Sequence, residues 1–288
     1  MTNNLVTVRV WGDFACFTRP EMKVERVSYP VMTPSAARGI LEAIFWEPQM
    51  YYLIDAIRVV KRGYWFSFRR NEVISVISLD SAKTWMKAPD KVTPIQAGGG
   101  APDGTQRNML ALEDVEYLIT AEVRLTELGK RNNHLSKYLE EIRRRTQSGK
   151  CYHRPALGVR EFAADFEWEE DAQSALERRA TELDGDWRDY EEELGLMLYD
   201  VFDVYERAEG FRWLSPAETV VLQEQRKAES KKLSAAARRG ATKTVQSPYE
   251  GKPIKPEATF FHASVRESKL DCHPERVRFA RQANGVGQ

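Results

Sequence analysis

Apolar and polar residues alternate along positions 5–11. Val6, Val8 and Val10 take one side and Thr7, Arg9 and Trp11 the other, which is the two-residue period of a half-buried strand. The period is clearest at 115–125. There Val115, Tyr117, Ile119, Ala121, Val123 and Leu125 share a face, and Glu116, Thr120, Glu122 and Arg124 share the opposite one. Between these runs the period lengthens. Thr33 followed by Pro34 has the form of a helix cap and first turn, the stripe Ala37, Ile40, Leu41 and Ile44 forms its core face, and Pro48 closes it. Strand-like runs follow around 52–61 and 63–69, and a second helix is predicted over 136–147, with Ser136 as its cap and Leu139 and Ile142 turned inward. After a loop bounded by Gly149 and Gly158, a strand is predicted near 159–168.

The order strand, helix, two strands, then strand, helix, strand suits an α+β fold of the ferredoxin-like type. Beyond it, strands are expected at 194–205 and 259–265. They flank a helix running from Ser215 to Gly240 and a Pro-, Gly- and Lys-containing linker at 241–258. Residues 19–32 read as a charged loop or hairpin, Gly98 to Gly100 as a flexible loop, and the last dozen residues as frayed.

Composition narrows the function classes. The chain has 288 residues, enough for one large domain or two smaller ones, with 43 basic and 43 acidic side chains. No apolar run has the length of a membrane span, and the first residues lack the apolar core of a signal peptide. Cys16, Cys151 and Cys272 are odd in number and far apart, which excludes a disulfide framework and a Cys-x-x-Cys zinc site. A cytoplasmic protein with reduced thiols is expected. His134, His153, His262 and His273 show no metal-ligand spacing, and no Walker loop, GxGxxG, HExxH or GxSxG sequence occurs. The expectation is a protein with no cofactor and no metal.

The neutral total hides segregation. Residues 161–194 hold fourteen acidic side chains against three basic ones, best read as a solvated face. Residues 226–243 are basic apart from Glu229. Residues 136–162, SKYLEEIRRRTQSGKCYHRPALGVREF, concentrate Lys137, Arg143, Arg144, Arg145, Lys150, Arg154 and Arg160. Two readings stand for this segment. Glu140 with Arg144 and Glu141 with Arg145 have the spacing of helix-surface ion pairs, so the charge can simply decorate a helix. Alternatively, Lys137 and Tyr138 stand at a helix start, where free backbone N–H groups favour an anion. Tyr152, His153, Arg154 and Arg160 then follow in a loop shaped by Gly and Pro. Cations interleaved with aromatic rings suit single-stranded RNA.

Several long motifs decide which family the chain resembles. VWGDFACFTRPEMKVERVSYPVMTPSAARGILEAIFWEP (10–48), FRRNEV (68–73) and GKCYHRPALGVREF (149–162) resemble the type I-C CRISPR-associated Cas-five family, subtype d, of the RAMP superfamily. LGLMLYDV (194–201) and TFFHASV (259–265) resemble that family's later strands. The resemblance implies a ferredoxin-like (RRM-like) RAMP domain, here 1–162, and a small C-terminal β-rich region, 163–288, with a basic helical insertion at 215–256. It also implies a role as a Cascade subunit that cuts CRISPR repeat RNA and retains the crRNA 5′ handle. Its partners would be the Cascade backbone and large subunits, with target DNA met only through the complex.

The implied chemistry is metal-independent attack of a ribose 2′-OH on the adjacent phosphate. This needs a proton acceptor, a cation for the phosphorane charge and an acid for the leaving oxygen. In this family an aromatic residue or His at the end of the first helix joins a Lys-His pair at the start of the later helix. Here those positions hold Phe45, Lys137 and Tyr138. The catalytic candidates are therefore Lys137, Tyr138 and the nearby His134. The RNA-binding candidates are Arg19, Lys23, Arg26, Arg38, Arg69, Arg70, Arg107, His153, Arg154 and Arg160. Because Phe45 carries no exchangeable proton, a non-catalytic crRNA-binding and assembly subunit is the alternative.

Overall fold

The computed structural model describes residues 4–98, 100–130, 134–183, 188–202, 207–208, 212–213, 224, 249–250 and 258–280. In chain order the strands are β1 (Leu5–Ala15), β2 (Arg26–Val27), β3 (Met50–Lys61), β4 (Tyr64–Val73), β5 (Gly104–Leu125), β6 (Asp165–Glu169), β7 (Glu192–Asp200), β8 (Arg212–Trp213), β9 (Tyr249–Glu250), β10 (Thr259–Arg266) and β11 (Lys269–Asp271). The helices are α1 (Pro34–Ile44), α2 (Leu79–Lys87), α3 (Glu127–Lys130), α4 (Leu135–Gln147) and α5 (Ala172–Glu182).

Strands β6, β1, β5 and β3 lie side by side, each antiparallel to its neighbour. The sheet continues through β11 and β10 to β7. Strand β6 comes from beyond residue 162 yet pairs with β1, so the sheet crosses the domain boundary predicted there. The small β8–β9 pair stands apart from it.

The alternating patterns become the core. Val6, Val8, Val10, Val115, Tyr117, Ile119, Ala121 and Val123 are buried against Ala37, Ile40, Leu41 and Ile44 of α1 and Ile142 of α4. Thr33 caps α1 as its sequence demands, its hydroxyl accepting from the Ala36 N–H at 3.2 Å. On the opposite face Ala175 and Leu176 of α5 pack on Val60 and Leu118. Around them the acidic segment meets arginines. Arg179 forks onto both oxygens of Glu116 at 2.7 and 2.8 Å, and Arg9 reaches the same carboxylate at 3.1 Å. Within the acidic block itself Glu169 is buried and is paired with Arg178 and, at 3.5 Å, with Arg9, so the block is partly a compensated buried face and only partly a solvated one.

Several expectations change. Strand β5 begins at Gly104, well before 115, because its first half pairs with β4 to form a two-stranded arm. Helix α2, which no strong periodicity announced, follows β4 and buries none of its residues. The cap position of α4 is His134, with no side-chain cap bond, and Ser136 lies inside the helix. Of the strand predicted at 159–168 only the end is extended, because 156–164 closes as a turn bridged between Ala156 and Ala163. The chain end is tied down as far as Ala280, which donates to the Phe260 carbonyl. Apart from Glu224 and Tyr249–Glu250, the predicted helix from Ser215 and the insertion at 215–256 lie outside the described residues.

Candidate nucleic-acid interface

Helices α1 and α4 bring the predicted site residues together. Phe45 ends α1 and Tyr138 sits in the first turn of α4, with ring centroids 6.4 Å apart at 29°. Two positions 93 apart in sequence are thus stacked neighbours. The ring of Phe45 also lies 6.1 Å from that of Tyr152. Arg145 completes the row, its guanidinium 4.1 Å from the Tyr152 ring and 5.5 Å from Phe45. Arg145 falls two helical turns after Tyr138, on the same face of α4. At the other end of the row the ammonium of Lys137 stands 5.8 Å from the Tyr138 ring.

Exposure separates the roles these residues can take. Lys137 and His134 face solvent. Tyr138 retains only 7 % of its surface, and desolvation, followed by the negative charge of Glu47, pushes its phenol pKa upward. A buried phenol that resists ionisation is a poor proton acceptor at neutral pH, which argues against Tyr138 as the base. Phe45 is 3 % exposed and offers neither a proton nor an acceptor.

The loop after α4 is fixed to the end of α1. Tyr152 and His153 both donate their N–H groups to the Ala43 carbonyl at 3.0 Å, satisfying an oxygen the helix leaves open. Further on, Gly158 has φ of +89°, and a Cβ there would fall 2.0 Å from the Cys16 carbonyl oxygen, so only glycine fits. Between this loop and α1 runs an open groove. Its floor is the small residues Ser35, Gly39 and Ala43, one per turn of α1, and its wall includes Thr18, Arg154 and Gly158. The groove adjoins the Phe45–Tyr152 row, since Ala43 lines it and its carbonyl accepts the Tyr152 N–H.

The predicted RNA-binding residues divide into three groups. Among the described residues, Lys23, Arg69, Arg154 and Arg160 have no carboxylate within ion-pair distance, and Lys137 shares that condition. Arg19, Arg26, Arg70 and Arg107 each have a carboxylate partner: Glu21 at 3.7 Å, Glu161 at 4.0 Å, Glu161 at 2.5 Å and Glu72 at 3.4 Å. Partly exposed pairs of this kind are weak and open to exchange for a phosphate. His153 is exposed. Arg38 belongs to neither group: it is buried and forks onto Asp200 at 2.7 and 2.9 Å. Its expected contact with RNA is therefore corrected, because its donors already hold α1 to β7. The three consecutive arginines are also engaged, Arg143 with Glu170 and both Arg144 and Arg145 with Glu141 at 2.7 Å. Arg144 thus chooses Glu141 over the Glu140 that its spacing suggested.

Sequence comparison supplies the family. The family described as CRISPR-associated protein (Cas_Cas5), subtype Cas5d, matches residues 5–245. The chain belongs to the Cas5d family. It is 40 % identical over 201 residues to the CRISPR pre-crRNA endoribonuclease Cas5d of Mannheimia succiniciproducens, covering 69 % of this chain and 85 % of that one. It is 45 % identical over 159 residues to the CRISPR pre-crRNA endoribonuclease Cas5d of Thermus thermophilus, covering 55 % of this chain and 62 % of that one. A crystal structure of a CRISPR-associated protein shares the fold, with a TM-score of 0.50 at 16 % identity, over 93 % of this chain and 90 % of the other.

Two parts of this Cas5d chain's chemistry were not visible in its sequence. Arg145 and Tyr152 join the site only because the loop folds back onto α1. The sequence grouped both in one basic segment interleaved with aromatic rings, and what it did not show is their packing on Phe45. The second is a cluster in which Asp55, Glu122 and His273 offer ligand atoms within 4.8 Å of one another. Arg276 holds Asp55 at 2.8 Å and Arg124 holds Glu122 at 2.6 Å. Nδ1 of His273 accepts the Glu275 N–H at 3.3 Å, which leaves the ring proton on Nε2, 3.5 Å from Glu122. In that tautomer the imidazole offers the cluster a proton in place of a lone pair, so the set fits an internal ion-pair knot better than a metal.

Proposed function

We propose that this chain recognises CRISPR repeat RNA, cleaves it, and keeps the crRNA 5′ handle as a subunit of a type I-C Cascade complex in the cytoplasm. The reading rests on one observation above others: an exposed lysine, Lys137, stands at the end of an aromatic row beside a groove that has Arg154 in its lining. The names of two relatives at 40 and 45 % identity support it. The antiparallel order β6-β1-β5-β3, with α1 and α4 on one face, supports a ferredoxin-like RAMP domain as the scaffold.

In the reaction the 2′-OH attacks the adjacent phosphorus, the bond to the 5′-oxygen breaks, and a 2′,3′-cyclic phosphate and a 5′-hydroxyl result. The ammonium of Lys137 neutralises charge building on the phosphorane oxygens. Proton transfer falls to His134, an exposed imidazole three residues before Lys137. Tyr138 supports Lys137 through its ring, as a positioning residue.

Incubation with cognate repeat RNA in EDTA tests this, beside an RNA carrying 2′-deoxyribose at the cut site. Cleavage of the all-ribose RNA alone is the expected result. Tight binding without cleavage of either RNA would support the second reading, a crRNA-binding assembly subunit. That reading is favoured by the burial of Tyr138 and by Phe45 at its partner position.

A further inference from the structure

We infer that Tyr152, backed by Arg145, is a stacking platform for one base of the single-stranded part of the RNA; the inference rests on the RNA-binding reading above. Tyr152 is 49 % exposed while its neighbours in the row, Phe45 and Tyr138, are buried. Arg145 packs on the Tyr152 ring at 4.1 Å and is itself fixed by Glu141 at 2.7 Å. The Tyr152 backbone is pinned by its hydrogen bond to Ala43. Ring, cation and backbone are thus held before any ligand arrives, so little conformational freedom remains to be lost on binding. An arginine packed on the ring also adds a cation–π contact that stiffens the platform.

Position points to a nucleobase as the ligand. The groove lined by Ser35, Gly39, Ala43 and Arg154 offers one arginine to a phosphate and includes Ala43, whose carbonyl anchors Tyr152. At the far end of the aromatic row stands Lys137. A strand following the groove therefore reaches Tyr152 before it reaches Lys137. A base stacked on Tyr152 would set which phosphate arrives at the lysine, making Tyr152 a specificity-determining residue for the cut position.

The test is a set of repeat RNAs, each with one abasic nucleotide in its single-stranded part, titrated against wild type, Tyr152→Ala, Tyr152→Leu and Tyr152→Phe. Wild type and Tyr152→Phe should lose about five- to a hundredfold in affinity for one abasic RNA. Tyr152→Ala and Tyr152→Leu should bind intact RNA more weakly by the same factor and show no further loss with that abasic RNA. The salt slope should be unchanged, since no phosphate contact is removed. Thermal unfolding of each variant separates a folding defect from a stacking one. If Tyr152→Ala binds every RNA as wild type does, or every abasic penalty persists in it, the platform is overturned while the RNA-binding reading stands. If wild-type protein has no affinity for repeat RNA, both fall together.

Discussion

Arg38 grips Asp200 with two hydrogen bonds, Nε to Oδ2 at 2.7 Å and Nη2 to Oδ1 at 2.9 Å, across 162 positions of sequence. Its remaining nitrogen, Nη1, donates to Glu42 one turn on. Asp200 in turn accepts the N–H groups of Val201 and Phe202. A fork of this kind fixes α1, and Phe45 at its end, against the strand β7. Arg38→Ala leaves a carboxylate buried at 3 % exposure without its partner. The expected loss is about 3–5 kcal/mol of stability, read from urea unfolding. Arg38→Lys, which cannot fork, should fall between the two. Neither variant, where it folds, should change the salt slope of RNA binding.

The stacked pair Phe45 and Tyr138 predicts a division of labour between binding and cleavage. Lys137→Ala should reduce single-turnover cleavage about a hundredfold or more while repeat RNA affinity changes only a few-fold. Tyr138→Phe should cleave nearly as wild type does, with the same pH–rate profile, because the phenol is buried and held protonated. His134→Ala should slow cleavage and change the shape of that profile. A profile altered by Tyr138→Phe and untouched by His134→Ala would assign proton transfer to the phenol.

Phosphate contacts carry a signature in salt. Arg154 lines the groove and has no carboxylate partner among the described residues. Arg154→Ala should lower affinity for any single-stranded RNA and flatten the plot of log affinity against log salt by about 0.7. Arg144→Ala, which removes a side chain already held by Glu141 on the helix surface, should alter the slope less. Equal slopes for wild type and Arg154→Ala would take the RNA backbone out of this groove.

The sequence carried the helices and strands whose apolar period is strong, because burial of one face enforces that period. Val6, Val8, Val10 and the α1 stripe are cases in point. It failed where structure depends on pairing between distant segments. The first half of β5 is a strand because β4 lies beside it, and nothing local to 104–114 demands that. The resemblance of 10–48 and 149–162 to one family located Phe45, Lys137 and Tyr138, and the fold brings them into one row. Burial was illegible: Tyr138 and Arg38 read as exposed polar candidates and lie inside. Charge runs misled for the same reason, since a neighbouring carboxylate such as Glu141 cancels arginines that look free in the sequence.

That carboxylate yields a prediction about pH. Hydrogen bonding from Arg144, with a further contribution from Arg145, lowers the Glu141 pKa to about 2. In the unfolded chain a glutamate titrates near ~4.3. A folded-state pKa below the unfolded one means that the stability Glu141 contributes is fully present above ~4.3 and is lost as pH falls through about 2. Carboxyl NMR should find the Glu141 midpoint near 2, and Arg144→Ala should move it toward the unfolded value. The consequence bears on the RNA site, because Glu141 also orients Arg145 behind Tyr152. The tie holds at every pH where RNA binding is practical to measure. A change in affinity with pH near neutrality would therefore not come from the Glu141–Arg145 tie.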